Sequence, residues 1–213
     1  MVYVANPEDH MIALYNRLAP NYDQLHQRWL RFAGGEAQAA LEAAVRVALT
    51  PDAELLDAGC GTGRFARGLL EGGADPQQIT LLDPSEAMLA HCRDLPVRQF
   101  LGRIEALPFG DETFDIVTSA WSVETVSQPH TALRELCRVL QPGGTLCLTF
   151  CAQKPARGLV DWLMCKCLSL RKTGRFLEVG DVTRHLKTSM RCDVQILPST
   201  GPAATVIARR DRD

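Results

Sequence analysis

The sequence predicts an α/β fold: a Rossmann-like, mostly parallel sheet with helices on both faces. Two observations carry this. Between residues 51 and 151, short apolar strands alternate with amphipathic helices at the spacing of βαβ units, which is how parallel sheets are built. In the first unit, Glu54-Leu55-Leu56-Asp57-Ala58 reads as a strand with an acid at its carboxyl end. Gly59-Cys60-Gly61-Thr62-Gly63 follows, and a helix starts at Arg64. Glycines are needed where backbone turns sharply and a ligand must approach without a Cβ in the way. The turn also feeds the positive end of a helix, a seat for a carboxylate or phosphate.

In chain order, residues 8–33 read as helical, with Pro20 ending one helix near Leu18 or Ala19 and starting another turn. Leu14, Leu18, Leu25 and Trp29 would pack this segment onto the core. Gly34-Gly35 breaks the pattern, and Glu36 to Leu49 forms an alanine-rich helix of high propensity. After the Thr50-Pro51-Asp52 turn and first strand come helix 64–71, strand 78–83, helix 85–93, strands 97–101 and 114–120, helix 130–140 and strand 145–151. Gln141-Pro142-Gly143-Gly144 separates the last helix from its strand. Beyond Cys151, Leu159 to Leu170 and Asp181 to Lys187 read as helices. Cys192 to Leu197 and Ala203 to Ala208 read as strands of a C-terminal hairpin around Pro198-Ser199-Thr200-Gly201-Pro202. The expected layout is one domain: a helical cap over 1–50, a cofactor-binding core over 51–151, and a helix plus hairpin over 152–213.

Composition narrows the function classes. A chain of 213 residues can bury a sizeable core. A net charge of −2 favours no nucleic-acid partner. Arg171-Lys172 to Arg175 and Arg209-Arg210 read as solvated surface. Eight cysteines lack a C-x-x-C pair or a disulfide framework, the usage of free thiols in a reducing compartment. No signal peptide and no transmembrane run of ~20 apolar residues is visible, so a cytoplasmic setting is expected. No set of residues suggests a metal site.

Two nucleotide motifs compete for the glycine turn. A dinucleotide fingerprint needs a small residue where Arg64 stands, and a phosphate loop needs a lysine after the glycines. What remains is D-x-G-x-G-x-G, which suits a cofactor with a cationic amino-acid end and a neutral adenosine. Leu81-Leu82-Asp83-Pro84-Ser85 adds a second strand ending in an acid about 20 residues on, where a ribose-reading carboxylate belongs. Together these stretches resemble motif I and its partner in the class I S-adenosylmethionine-dependent methyltransferases. Leu136-Cys137-Arg138-Val139-Leu140-Gln141-Pro142-Gly143-Gly144 is similar to that family's R-V-L-x-P-G-G, a fold marker. Tyr15-Asn16-Arg17-Leu18-Ala19-Pro20-Asn21-Tyr22-Asp23 resembles the entry segment of its type 11, ubiquinone/menaquinone-biosynthesis branch.

The resemblance implies a seven-stranded sheet with one antiparallel strand, and S-adenosylmethionine as cofactor. It implies that Asp83 binds the ribose, that Asp57 orients the methionine amino group, and that Gly59, Cys60, Gly61 and Gly63 contact the methionyl part. Pro84 and Ile104 would adjoin the base, as would Met88, for which core packing is the alternative. Arg103 stands where many relatives carry an Asp for the adenine amino group, so Glu105 or a main-chain carbonyl would fill that role. Tyr22 would lie over the cofactor, Ser119 would border the methyl group, and Tyr15 and Trp121 would touch the acceptor.

Methyl transfer is an in-line displacement, dominated by alignment of donor and acceptor. A base is needed only when the attacking atom must lose a proton. His26, Glu124 and His130 are the candidates. The expected function is methyl transfer to a small-molecule or lipid-like acceptor. The alternatives are a non-catalytic cofactor-binding regulator or scaffold, an arsenite or thiol methyltransferase using Cys151, Cys165 and Cys167, and an NAD-dependent oxidoreductase. The C-x-C spacing of Cys165 and Cys167 points two thiols to different helix faces, which suits core packing better. The 159–170 helix would roof an apolar pocket, touch a membrane surface as a peripheral contact, or cover the sheet.

Overall fold

The structure is a computed structural model that describes residues 7–153, 175–197, 199 and 201–212. The helix expected over 159–170, with Cys165 and Cys167, lies outside the described residues. A seven-stranded sheet organises the chain: β1 Leu55–Ala58, β2 Ile79–Asp83, β3 Arg98–Leu101, β4 Phe114–Ala120, β5 Leu140–Cys151, β6 Cys192–Leu197 and β7 Ala203–Arg210, in the order β3-β2-β1-β4-β5-β7-β6. β1 to β5 pair in parallel, and β7 runs antiparallel to both β5 and β6. This is the seven-stranded sheet that the resemblance implies, with β7 as the antiparallel strand.

The apolar runs of β1, β2 and β4 follow from a sheet covered on both faces. Successive residues point to opposite sides. Leu55, Leu81, Ile116 and Cys147 face Leu41 and Val45 of α3 (Gly35–Ala48) and Ala66 and Leu69 of α4 (Arg64–Glu71). Leu56, Leu82, Val117 and Leu146 face Leu133 and Leu136 of α6 (Pro129–Arg138) and Val182 and Leu186 of α7 (Val179–Ser189). A short α5 (Glu86–Leu89) follows β2 and passes into a 3₁₀ turn at Ala90–Cys92, where one helix over 85–93 was expected.

The N-terminal segment divides at Pro20, as its missing N–H requires. α1 (Pro7–Leu18) gives way to a 3₁₀ turn at Ala19–Asn21, then α2 (Tyr22–Trp29). Gly34-Gly35 does not break the chain path. A π turn at Leu30–Gly34 carries helical backbone straight into α3. Close approach is the reason for glycine here: a Cβ on Gly34 would lie 2.6 Å from Trp29 Nε1 and 2.8 Å from Trp121 Cζ2.

The Gln141-to-Gly144 stretch also differs from expectation. It belongs to β5 as a bulge: Phe114 pairs with Leu140, and Ile116 pairs with Thr145. A Cβ on Gly144 would come within 2.8 Å of the Asp115 carbonyl oxygen. Arg138 shows what the preceding fold marker does. Its guanidinium donates to Glu135, Asp111 and the carbonyls of Leu107 and Phe109, holding residues 107–111 against the end of α6 at the amino ends of β4 and β5.

Candidate functional site

At the carboxyl end of β1 the chain turns through three left-handed glycines: Gly59 (φ 81°), Gly61 (φ 56°) and Gly63 (φ 72°). Such φ values strain any residue with a Cβ. Gly59 and Gly63 are also hemmed in, since their Cβ atoms would strike Ser122 Oγ at 2.2 Å and Cys92 Sγ at 2.7 Å. Gly61 is open on its outer side, where the nearest atom is in the Tyr22 ring at 3.7 Å. β2 pins the turn. The Leu82 carbonyl accepts from the N–H groups of Gly59 and Cys60 at 2.7 and 3.1 Å. The Asp83 carboxylate accepts from the N–H groups of Gly61 at 2.8 Å and Ser85 at 2.9 Å.

A cavity of about 720 Å³, its open mouth included, lies on this turn. Gly59, Gly61, Asp83, Pro84 and Met88 form its floor, and Arg103, Ile104 and Glu105 close one end. Ala120, Trp121, Ser122, Thr125 and Val126 form the far wall, and Met11, Ile12, Tyr15 and Tyr22 of the N-terminal helices form the roof. The roof is tied down at two points. Thr62 Oγ1 donates to Asp23 at 2.6 Å, and Ser85 Oγ donates to Asn16 Oδ1 at 2.6 Å. Tyr22 meets Tyr15 edge-on at 6.1 Å and stacks on His26 at 5.6 Å. Trp121 sits at φ 59°, held by its N–H to the Thr149 carbonyl (2.7 Å), its indole N–H to Gln38 (2.7 Å) and the edge-on ring of Trp29. Strain of this kind in a bulky residue marks a position fixed by its surroundings.

The electrostatics are one-sided. Burial raises the Asp57 carboxyl to about 7, helped by the charge of Asp83. Burial raises Asp83 to about 6 against the lowering effect of the Ser85 and Gly61 N–H groups. Glu124 rises to about 7, again through burial, opposed chiefly by the Cys151 N–H. Among the described residues none of these three acids forms an ion pair. Buried carboxylates without cations raise their own proton affinity, and a cationic ligand in the cavity would relieve Asp83, which lines it.

Of the residues singled out from sequence, Tyr15, Tyr22, Gly59, Gly61, Asp83, Pro84, Met88, Arg103, Ile104, Glu105 and Trp121 line this cavity. Asp57, Cys60, Gly63, Ser119 and Glu124 do not. Asp57 is buried at the end of β1, and Gly63 carries the turn into α4. The Cys60 thiol folds back on the Gly61 carbonyl. Ser119 is wholly buried, its hydroxyl without a partner among the described residues, and its neighbours Ala120 and Ser122 line the wall instead. His130 is away from the cavity, stacked on His185 between α6 and α7 at 4.8 Å. His26 is held behind Tyr22, lowered to about 4 by burial and by Arg64. The sequence reading missed Met11 and Ile12, although their spacing from Tyr15 is the i, i+3/i+4 stripe of a helix face.

Residues 56–148, the stretch that carries the glycine turn, Asp83 and the far wall, match the model of the methyltransferase domain. They belong to the methyltransferase-domain family. S-adenosylmethionine is the methyl donor of this family. The ubiquinone/menaquinone biosynthesis C-methyltransferase of Methylobacterium nodulans is 40% identical over 134 residues, 59% of this chain and 50% of that protein. The malonyl-[acyl-carrier protein] O-methyltransferase of Erwinia pyrifoliae is 47% identical over 92 residues, 42% and 34% of the two chains. This chain therefore spans half or less of those two relatives. Among solved structures, a Thermotoga maritima S-adenosylmethionine-dependent methyltransferase, a possible histamine N-methyltransferase, superposes with TM-score 0.69. It covers 93% of this chain and 99% of its own at 23% identity, a likeness of fold. Among the described residues, no helix is long and apolar enough to cross a membrane. No group of three or more described metal-ligating side chains converges.

Proposed function

We propose that the chain works as one domain that transfers a methyl group from S-adenosylmethionine to a small, largely apolar acceptor beneath the N-terminal helices. The observation that carries this reading is the buried Asp83, in no ion pair among the described residues, on the floor of a largely apolar cavity that opens on Gly61, with the buried Asp57 near enough to feel its charge. The cofactor's ammonium and sulfonium supply the missing positive charge, and its neutral adenosine suits the Met88 and Ile104 end. When bound, it supplies an electrophilic methyl group.

The chain's own residues bind and orient. Asp83 keeps lone pairs beyond those used by Gly61 and Ser85 and takes the ribose hydroxyls. Asp57 provides charge complement to the amino-acid end, and the open face of Gly61 lets the backbone approach the ligand. Arg103 and Glu105 border the base, with Glu105 or a main-chain carbonyl in the role that an Asp fills elsewhere. Tyr22 and Tyr15 cover the site, and burial lifts both phenols well above their ordinary range, so they stay protonated and exclude water. Met11, Ile12, Trp121 and Val126 hold the acceptor.

A lipid-like acceptor and a peripheral membrane contact are supported by Phe32 and Leu25, exposed on the cap by 76% and 42%. The relatives that act on quinones and on malonyl-acyl carrier protein frame the same range of small acceptors. A cytoplasmic setting is supported by six described cysteines, all free. The test is incubation with methyl-labelled S-adenosylmethionine and extract of the source cells, separated into lipid, small-molecule and protein fractions. Label is expected in the first or second. Label in protein alone, or no calorimetric binding of the cofactor, overturns the reading. Binding without any labelled product favours a regulatory cofactor-binding role.

A further inference from the structure

The side chains around the cavity that carry an O–H or an indole N–H are Tyr15, Tyr22, Trp121, Ser122 and Thr125. Those of the far wall spend it inside the protein. Ser122 Oγ donates to the Ala120 carbonyl at 3.0 Å, Thr125 Oγ1 to the Ser122 carbonyl at 2.7 Å, and the Trp121 indole to Gln38 at 2.7 Å. The Tyr15 and Tyr22 hydroxyls of the roof have no hydrogen-bond partner among the described residues. Water can serve such a hydroxyl while the cavity is open. A ligand that displaces the water and offers no lone pair strands the donor, and its lost hydration is not recovered.

The two phenols stand in different places. Tyr22 belongs to the glycine turn: its ring comes within 3.7 Å of where a Cβ on Gly61 would stand, and Asp83 is the charge that acts on it most. Tyr15 meets Tyr22 edge-on at 6.1 Å, and Glu124 acts on its oxygen more than Asp83 does. Tyr22 is therefore nearer the turn, and Tyr15 nearer the segment after β4. On its own helix Tyr15 shares the cavity face with Met11 and Ile12, opposite Trp121 and Val126. It is a single donor in an apolar lining, the arrangement by which a pocket reads one polar group of its ligand.

Resting on the methyltransferase reading above, we infer that Tyr15 selects the acceptor: its O–H donates to an uncharged carbonyl oxygen of a molecule whose apolar body lies among Met11, Ile12, Trp121 and Val126. Burial holds the phenol in its protonated form, so the donor is present throughout the neutral range. An acceptor that places a carboxylate there meets like charge, since Glu124 and Asp83 both act on this oxygen and neither forms an ion pair among the described residues. A hydrocarbon of the same shape leaves the hydroxyl unpaired, which is how a site built to hydrogen-bond its substrate rejects the analogue. Tyr15 makes and breaks no covalent bond in this role; it positions and discriminates.

The experiment uses the full chain saturated with S-adenosylhomocysteine at about pH 8, above the Asp83 and Glu124 carboxyls. Probes of one shape are compared by calorimetry: acetophenone, α-methylstyrene, in which a methylene replaces the carbonyl oxygen, and benzoate. Acetophenone is expected to bind about 3–10-fold tighter than α-methylstyrene, the scale of one neutral hydrogen bond, and benzoate more weakly than acetophenone. In Tyr15→Phe acetophenone should fall to the level of α-methylstyrene, whose own affinity stays as it was. Tm and the affinity for S-adenosylhomocysteine should also hold, because the hydroxyl has no partner among the described residues. Equal binding of the ketone and the alkene, tighter binding of benzoate, binding of no probe, or a preference that survives in Tyr15→Phe overturns the inference. So does a loss of S-adenosylhomocysteine affinity in that variant, which would give the hydroxyl to the cofactor instead. Absence of a calorimetric signal with S-adenosylhomocysteine in the unaltered chain would overturn the underlying reading.

Discussion

Asp57→Asn tests whether an uncompensated charge is buried under the glycine turn. Asp57 is 3% exposed and its carboxyl lies at about 7, against 3.8 in a free chain. A group whose folded pKa is raised contributes stability that is fully present below its unfolded value and is lost as pH rises through the folded one. The window therefore runs from about pH 4 to pH 7, and stability falls across it. A shift of roughly three units corresponds to about 4 kcal/mol at most. Asp83 supplies part of the shift, so the share that one substitution removes is smaller.

His26 acts in the opposite sense. Its folded value of about 4 lies below 6.5, so it adds stability as pH rises between them. It is only half-buried, and its contribution is discounted accordingly. The difference between Asp57→Asn and the unaltered chain cancels it. The assay is thermal unfolding of both proteins, free of cofactor, from pH 4 to pH 8. The variant should gain on the parent by about 2–4 kcal/mol, or roughly 4–16 °C in Tm for a chain of this size. Saturating S-adenosylmethionine should reduce the gain, because it supplies the missing cation to the parent. Parallel curves for the two proteins, with or without cofactor, would refute the argument.

Three further outcomes are expected. Asp83→Ala should lose cofactor affinity by about 1–3 kcal/mol in calorimetry, since it frees the Gly61 N–H and removes the proposed ribose acceptor; unchanged affinity would remove Asp83 from the site. Gly34→Ala should cost about 1–3 kcal/mol of stability in denaturant unfolding and disturb Trp121 fluorescence, because its methyl would strike both indoles. Thr62→Val should weaken cofactor binding by about 0.5–1.5 kcal/mol, read mainly as faster release in stopped flow, by cutting the bond from glycine turn to roof at Asp23.

The elements most readable from sequence were those whose signal is local. The β1 strand, its glycine turn and the acid closing β2 each follow from short-range rules, and so does the break at Pro20. Glycine was ambiguous because it serves two purposes. At Gly59, Gly61 and Gly63 it permits left-handed backbone, whereas at Gly34 and Gly144 it makes room for distant groups that one-dimensional reading cannot see.

The sequence by itself determined the parallel α/β order and the two acids at strand ends, because strand periodicity and turn chemistry are properties of neighbouring residues; the cofactor class came with the family resemblance of those stretches. Tertiary structure alone decided that Met11 and Ile12 of the cap share a cavity with Trp121. It also decided that Ser119, His130 and Glu124 do not line that cavity. Those outcomes depend on which side of β4 a residue faces and on what packs there from over a hundred residues away, as Thr149 and Ala37 do.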